Sequence, residues 1–177
     1  WPVAHSGRGD YNETIVVNSP CVIVGGYNAS FTVNGPDAFP TRLRGVTGTM
    51  RFSADAGDHC GALNITFHDC VAAIGSEPVQ GYNGAAIISL GASPTIQDCV
   101  FEDNRANPTS GTGWGGAVLA HQGSPVLRRC VFSGNIGSHG GAVALSQAAG
   151  ALLEDCAFTA NACSDSKILV AARDAMG

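Results

Sequence analysis

Two pairs of neighbouring acids, Glu102-Asp103 and Glu154-Asp155, come closest in this chain to acid–base machinery. Cleavage of a glycosidic bond needs two carboxyl groups about 5 to 9.5 Å apart on one face. Neither pair recurs on a neighbouring segment beside a His or Arg, so both read as solvated turn positions and no catalytic residue is assigned. Asp55, Asp58 and His59 gather before Cys60, yet no Asp-x-Asp-x-Asp-Gly calcium frame follows and no Cys-x-x-Cys zinc pair exists. No metal and no cofactor is therefore expected, and Arg8-Gly9-Asp10 reads as a chance turn. The chemical groups that do recur are thiols and amides, and their spacing points to architecture.

Four segments align: Phe67-His68-Asp69-Cys70-Val71-Ala72, Ile96-Gln97-Asp98-Cys99-Val100-Phe101, Leu127-Arg128-Arg129-Cys130-Val131-Phe132 and Leu153-Glu154-Asp155-Cys156-Ala157-Phe158. The last three run on to Asn104, Asn135 and Asn161. A second motif interleaves as Gly84-Ala85-Ala86-Ile87, Gly115-Gly116-Ala117-Val118 and Gly140-Gly141-Ala142-Val143. From this motif to the next Cys the distance is nearly fixed: 15 (84 to 99), 15 (115 to 130) and 16 (140 to 156). From Cys back to the next motif it varies: 14, 16 and 10. One half of each repeat is scaffold and the other is loop. The Leu-x-x-Leu-x-Leu frame of leucine-rich repeats is missing, and short apolar pieces broken by Gly, Ser and Asn predict three short strands per turn.

Strand alternation then assigns slots. Cys130 and Phe132 face inward with Val131 outward, and Leu127 also faces inward if the chain bends at Arg129. Cys70, Cys99, Cys130 and Cys156 are expected to stack as buried free thiols in one column. Phe101, Phe132 and Phe158 form a second column. Asn104, Asn135 and Asn161 form a third, where Asn tolerates left-handed backbone and its amide pairs with the rungs above and below. Asp98, Arg129 and Asp155 are expected to form a charged corner. The expectation is an all-β right-handed parallel β-helix, with residues 1–60 as irregular coils, 61–163 as regular repeats and 164–177 as the start of a further coil or cap. Trp1-Pro2-Val3-Ala4 lacks the layout of a signal peptide, so a fragment of a larger chain is expected.

Composition excludes several functions. Lys and Arg number 9 against 14 Asp and Glu, a net charge of -5, with no basic cluster to meet nucleic acid or an anionic membrane. No apolar run approaches the roughly 18 residues that span a bilayer, so no direct membrane insertion is expected. The sequons at Asn12, Asn28 and Asn64 favour an extracellular or cell-surface glycoprotein, whereas Asn107 is followed by Pro.

The Phe-x-x-Asn segments at 101–104, 132–135 and 158–161, alternating with Gly-Gly-Ala-Val at 115–118 and 140–143, resemble the repeats of the chlamydial polymorphic outer membrane proteins and related pectin-lyase-like surface proteins. Val22-Ile23-Val24-Gly25-Gly26-Tyr27 is similar to the opening coils of such domains. The resemblance implies an adhesin or surface passenger whose repeats carry structure, not catalysis. Ser138-His139-Gly140 departs from the Gly-His-Gly of pectin-cleaving hydrolases in its first residue, and their Asp-Asp partner is absent.

Stacked Cys side chains run parallel, which is poor disulfide geometry, so bridges are expected instead among the off-register Cys60, Cys163 and Cys21. The segment Arg105 to Trp114 is the loop expected to meet a partner; Trp114 either stacks on a sugar or partner side chain or covers a rung edge. The function expected is a non-enzymatic structural or adhesive module contacting other domains of its chain, surface or matrix proteins, or glycans. Two alternatives stand open: a carbohydrate-active enzyme with acids from the first third, and a filament or matrix subunit.

Overall fold

In the computed structural model, which describes residues 3–7, 9–45, 49–72, 84–106, 113–163 and 170–173, the chain is a parallel β-helix. Every named strand pairs in parallel with the strand one coil away. Sheet 1 stacks Val3–Gly7, Val22–Tyr27, Gly61–Leu63, Thr95–Gln97, Val126–Arg128 and Leu152–Glu154. Sheet 2 stacks Gly9–Asn12, Thr41–Arg44, Ile65–His68, Val100–Glu102, Val131–Ser133 and Ala157–Thr159. Sheet 3 runs from Ile15–Val17 through Met50–Phe52, Ile87–Leu90, Val118–His121 and Val143–Ser146 to Val170–Arg173. The strands before residue 61 thus join the same sheets as the later ones.

The regular coils carry a fourth strand. Val71–Ala72, Arg105–Ala106, Ile136–Gly137 and Ala162–Cys163 form a sheet of two-residue strands, so the expected three strands per turn become four. Left-handed residues at two of the corners explain how the path folds from sheet 1 through sheet 2 to sheet 4. Asn64, Asp98, Arg129 and Asp155 have φ of 48 to 56° where sheet 1 turns into sheet 2. Asp69, Asp103 and Ala160, with Gly134, do the same where sheet 2 turns into sheet 4. The left-handed conformation expected of Asn104, Asn135 and Asn161 therefore falls on the residue before each, which leaves the Asn side chain free to point inward.

Between the turns the two-residue alternation fills the core. Phe67, Phe101, Phe132 and Phe158 lie one above another, with ring centroids 5.1, 4.7 and 4.8 Å apart and planes within 5°. Parallel register forces this stacking, and each fully buried ring contributes about 1.5–3 kcal/mol of hydrophobic stabilisation. Leu127, Cys130 and Phe132 are buried and Val131 is exposed.

Register moves one expected residue. Thr66 pairs with Val100 and Phe67 with Phe101, so Ile65 stands in the column of Cys99, Cys130 and Cys156. Cys70 does not belong to that column. It occupies the Asn slot, where its backbone N–H donates to Asn104 Oδ1 at 3.0 Å.

Candidate functional site

The Asn column is a chain of amides. Asn104 Nδ2 donates to Asn135 Oδ1 at 2.8 Å and to the Phe67 carbonyl at 3.1 Å. Asn135 repeats the pattern with Asn161 Oδ1 at 2.8 Å and the Phe101 carbonyl at 3.0 Å, and Asn161 Nδ2 reaches the Phe132 carbonyl at 2.9 Å. Each Oδ1 also accepts the backbone N–H of the preceding coil's residue in that slot. Asn104 and Asn135 are fully buried, so these bonds satisfy backbone groups that water cannot reach.

At the first corner Arg129 grips Asp98 with two bonds, Nε to Oδ1 at 2.7 Å and Nη2 to Oδ2 at 2.8 Å. This guanidinium holds the Asp98 carboxyl below its usual range. Beside it Arg128 Nε donates to Glu154 Oε2 at 2.6 Å, and Gln97 Nε2 donates to Asp98 Oδ2 at 3.0 Å. Asp155 follows Arg129 one coil on.

All seven cysteines are free. Cys21 and Cys60 are neighbours on adjacent coils, since Gly61 N–H bonds to the Cys21 carbonyl, while Cys163 donates to the Ser138 carbonyl in another sheet. Cys60, Cys163 and Cys21, the expected disulfide candidates, are each free in the structure. Burial pushes the Cys60 and Cys70 thiols up to about 11 and also raises Cys99.

Trp114 stacks on His139, with ring centroids 4.7 Å apart, and packs with Leu90 against Ile88, Leu119 and Ala144 on the outside of sheet 3. Of its two expected roles, the placement is that of a cover. Arg105 is exposed on a sheet 4 strand, and the rest of the expected partner loop, 107–112, lies outside the described residues.

Sequence reading missed a polar cluster on the outer face of sheet 2. His68 is only 9% exposed; its Nδ1 lies 3.0 Å from Asp69 Oδ2, and its buried Nε2 has no hydrogen-bond partner, with Asp10 Oδ1 3.9 Å away. Arg42 bridges Asp10 at 3.4 Å and Glu102 at 3.8 Å. Four successive coils supply its members, Asp10, Arg42, His68 with Asp69, and Glu102, so only the parallel register brings them together. Toward the corner of the same sheet, a groove of about 380 Å³ is lined by Pro36, Asp37, Pro40, Asn64, Asp98 and Arg129 among others. Among the described residues no three His, Cys, Asp or Glu are placed to hold a metal ion, and no helix is long and apolar enough to cross a membrane.

The stretch from the Asp98 corner to His121 holds one copy of each half-motif: Cys99, Phe101 and Asn104, then Gly115-Gly116-Ala117-Val118. Residues 98–121 match the family model of the Chlamydia polymorphic membrane protein repeat. The matched stretch thus spans three of the four strands of one coil, entering at the left-handed corner and leaving at the end of a sheet 3 strand, before the sheet 1 strand that completes the coil. No curated protein and no solved structure matches the chain.

Of the sequons, Asn12 is exposed, and Asn64 is half-buried at the groove. Asn28 is built into a hairpin, its Oδ1 accepting the Thr32 and Val33 backbone N–H groups at 2.9 and 3.3 Å.

Proposed function

We propose that this chain is a non-enzymatic scaffold of a surface protein, a rigid rod that presents loops to structural or adhesive partners. The match to a membrane-protein repeat supports a cell-surface location in general terms. The observation that carries the scaffold reading is the use of recurring polar side chains to join one coil to the next: Arg129 to Asp98, Arg128 to Glu154, and Asn104 through Asn135 to Asn161. A rod built by nearest-neighbour stacking holds its loops at fixed separations, and loops on such a frame are where contact concentrates. Partners in this reading are other domains of the same chain, other surface or matrix proteins, or glycans. Labelling of intact cells with antibodies to the rod tests the location, and absence of signal until the cells are permeabilised rejects it.

The His68 cluster favours a second reading, a carbohydrate-active enzyme. An imidazole held by Asp69, with Asp10 and Glu102 nearby, provides acid–base groups drawn in part from the first third of the chain. Incubation with pectin, alginate and related polyanions separates the readings: turnover abolished by Asp69→Asn establishes the enzyme and defeats the scaffold.

A further inference from the structure

The groove on sheet 2 is lined by a residue that can be covalently joined to an occupant. Its floor is the outer face of the sheet, where Thr66, Val100 and Val131 stand in one row, and Pro36 and Pro40 wall it in part. Val131 is 42% exposed, so carbon surface lies open in a groove that also carries Asp37 and the Arg129–Asp98 pair. Asn64 lines the same groove. It is the first residue of the sequon Asn64-Ile65-Thr66, whose third residue lies on the floor.

The coil architecture explains neither Asn64 nor Thr66. Asn64 takes the left-handed corner at φ 56°, but Asp98, Arg129 and Asp155 hold the same conformation on later coils, so the corner does not require Asn. Thr66 stands in a row otherwise filled by Arg42, Val100, Val131 and Ala157, so the row does not require Thr. The Asn64 amide is also uncommitted. Asn28, Asn104, Asn135 and Asn161 all engage their side chains in hydrogen bonds, whereas the half-buried Asn64 side chain makes none among the described residues.

We propose that Asn64 is an N-glycan acceptor and that the groove seats the first sugars of the glycan it carries. The proposal rests on the surface-protein reading, under which the chain passes the transferase that makes this bond. The donor is a polyprenyl-diphosphate-linked oligosaccharide. Asn64 Nδ2 bonds to the anomeric carbon and loses a proton, while the carbon–oxygen bond to the diphosphate breaks and the polyprenyl diphosphate leaves with the electron pair. Transfer precedes closure of the corner, which leaves Asn64 half-buried. In the folded rod the apolar C–H face of a sugar packs on Val100 and Val131, and its hydroxyls reach Asp37 and Thr66. A volume of about 380 Å³ lies in the range of small-ligand sites. The glycan thus covers carbon surface that the bare rod leaves in water.

The test secretes the chain from a cultured eukaryotic line and reads its glycopeptides by mass spectrometry. Asn64 should be occupied in the unaltered protein and bare in Thr66→Val, which keeps the amide and takes the residue of the next coil in that row. Peptide-N-glycosidase should release the Asn64 glycan at least tenfold more slowly from native than from denatured protein. Val131→Trp, which fills the groove from its floor, should leave occupancy unchanged and raise native release to the denatured rate. Asn64 bare in the unaltered protein overturns the acceptor, whether or not Asn12 carries a glycan. Equal release from native and denatured protein, or slow release persisting in Val131→Trp, overturns the groove seat. None of these results depends on the labelling of intact cells, which decides the surface reading separately.

Discussion

Cys70 and Asn104 occupy the same slot on successive coils, joined by a 3.0 Å bond from the Cys70 backbone N–H to the Asn104 side-chain oxygen. The amide column thus begins one coil before its first Asn, and it is capped by a thiol. Removing a central amide should be costly. Asn135→Ala strands the Asn104 backbone and side-chain N–H groups and the Phe101 carbonyl, each at about 1–3 kcal/mol. Urea unfolding should show a loss of about 3 kcal/mol or more, whereas Asn161→Ala, only half-buried, should lose less.

The aromatic column sets a second scale. Phe132→Ala should cost about 3–5 kcal/mol and Phe132→Leu under about 1.5, because Leu43 already fills the equivalent slot on an earlier coil. Equal losses for the two substitutions in denaturant titrations would contradict a stacked column.

Trp114→Ala should lower the melting temperature, since the indole covers Ile88, Leu119 and Ala144. Half-burial limits the loss to about 1–3 kcal/mol. A variant that melts as the unaltered protein does, yet binds partners poorly, would restore the contact role.

Acid should weaken the charged corner. The folded Asp98 carboxyl titrates below its unfolded value, so its contribution is present above the ordinary carboxylate range and fades as pH falls through the folded value. Asp98→Asn should flatten the acid limb of a melting-temperature profile and leave the neutral plateau nearly unchanged, as expected of an exposed pair.

Alkali acts through the thiols. Cys60 and Cys70 titrate near 11 in the fold against 9.0 when unfolded, so their contribution is complete below about pH 9 and is lost as pH rises toward 11. Iodoacetamide at pH 8 should leave both unlabelled in the native protein and modify both in denaturant.

The parallel β-helix was legible because identical residues stack. Cys, Phe and Asn recur at fixed distances after the Gly motif, and a slot that accepts one residue type on several coils declares itself in the sequence. Cys70 misled because its coil fills the Cys slot with Ile65, the Phe slot with Phe67 and the Asn slot with Cys70, so matching like letters shifts the register. The His68 cluster was not legible because coil lengths differ: Asp10 pairs with Arg42, Arg42 with Thr66 and His68 with Glu102, steps of 32, 24 and 34 residues, and the cluster straddles two rows of the sheet. No constant period reveals such a cluster. The Asn28 hairpin interrupts the repeat altogether, and its hydrogen bonds form from Asn, Ser and Thr, residues that read only as a turn.

The register is the claim on which the slots depend, and aromatic contacts in solution test it most directly. Nuclear Overhauser effects from selectively labelled Phe rings should connect Phe67 to Phe101, Phe101 to Phe132 and Phe132 to Phe158, with no contact between Phe101 and Ala72. A Phe101–Ala72 contact in place of Phe101–Phe67 would return Cys70 to the thiol column and contradict the arrangement described above.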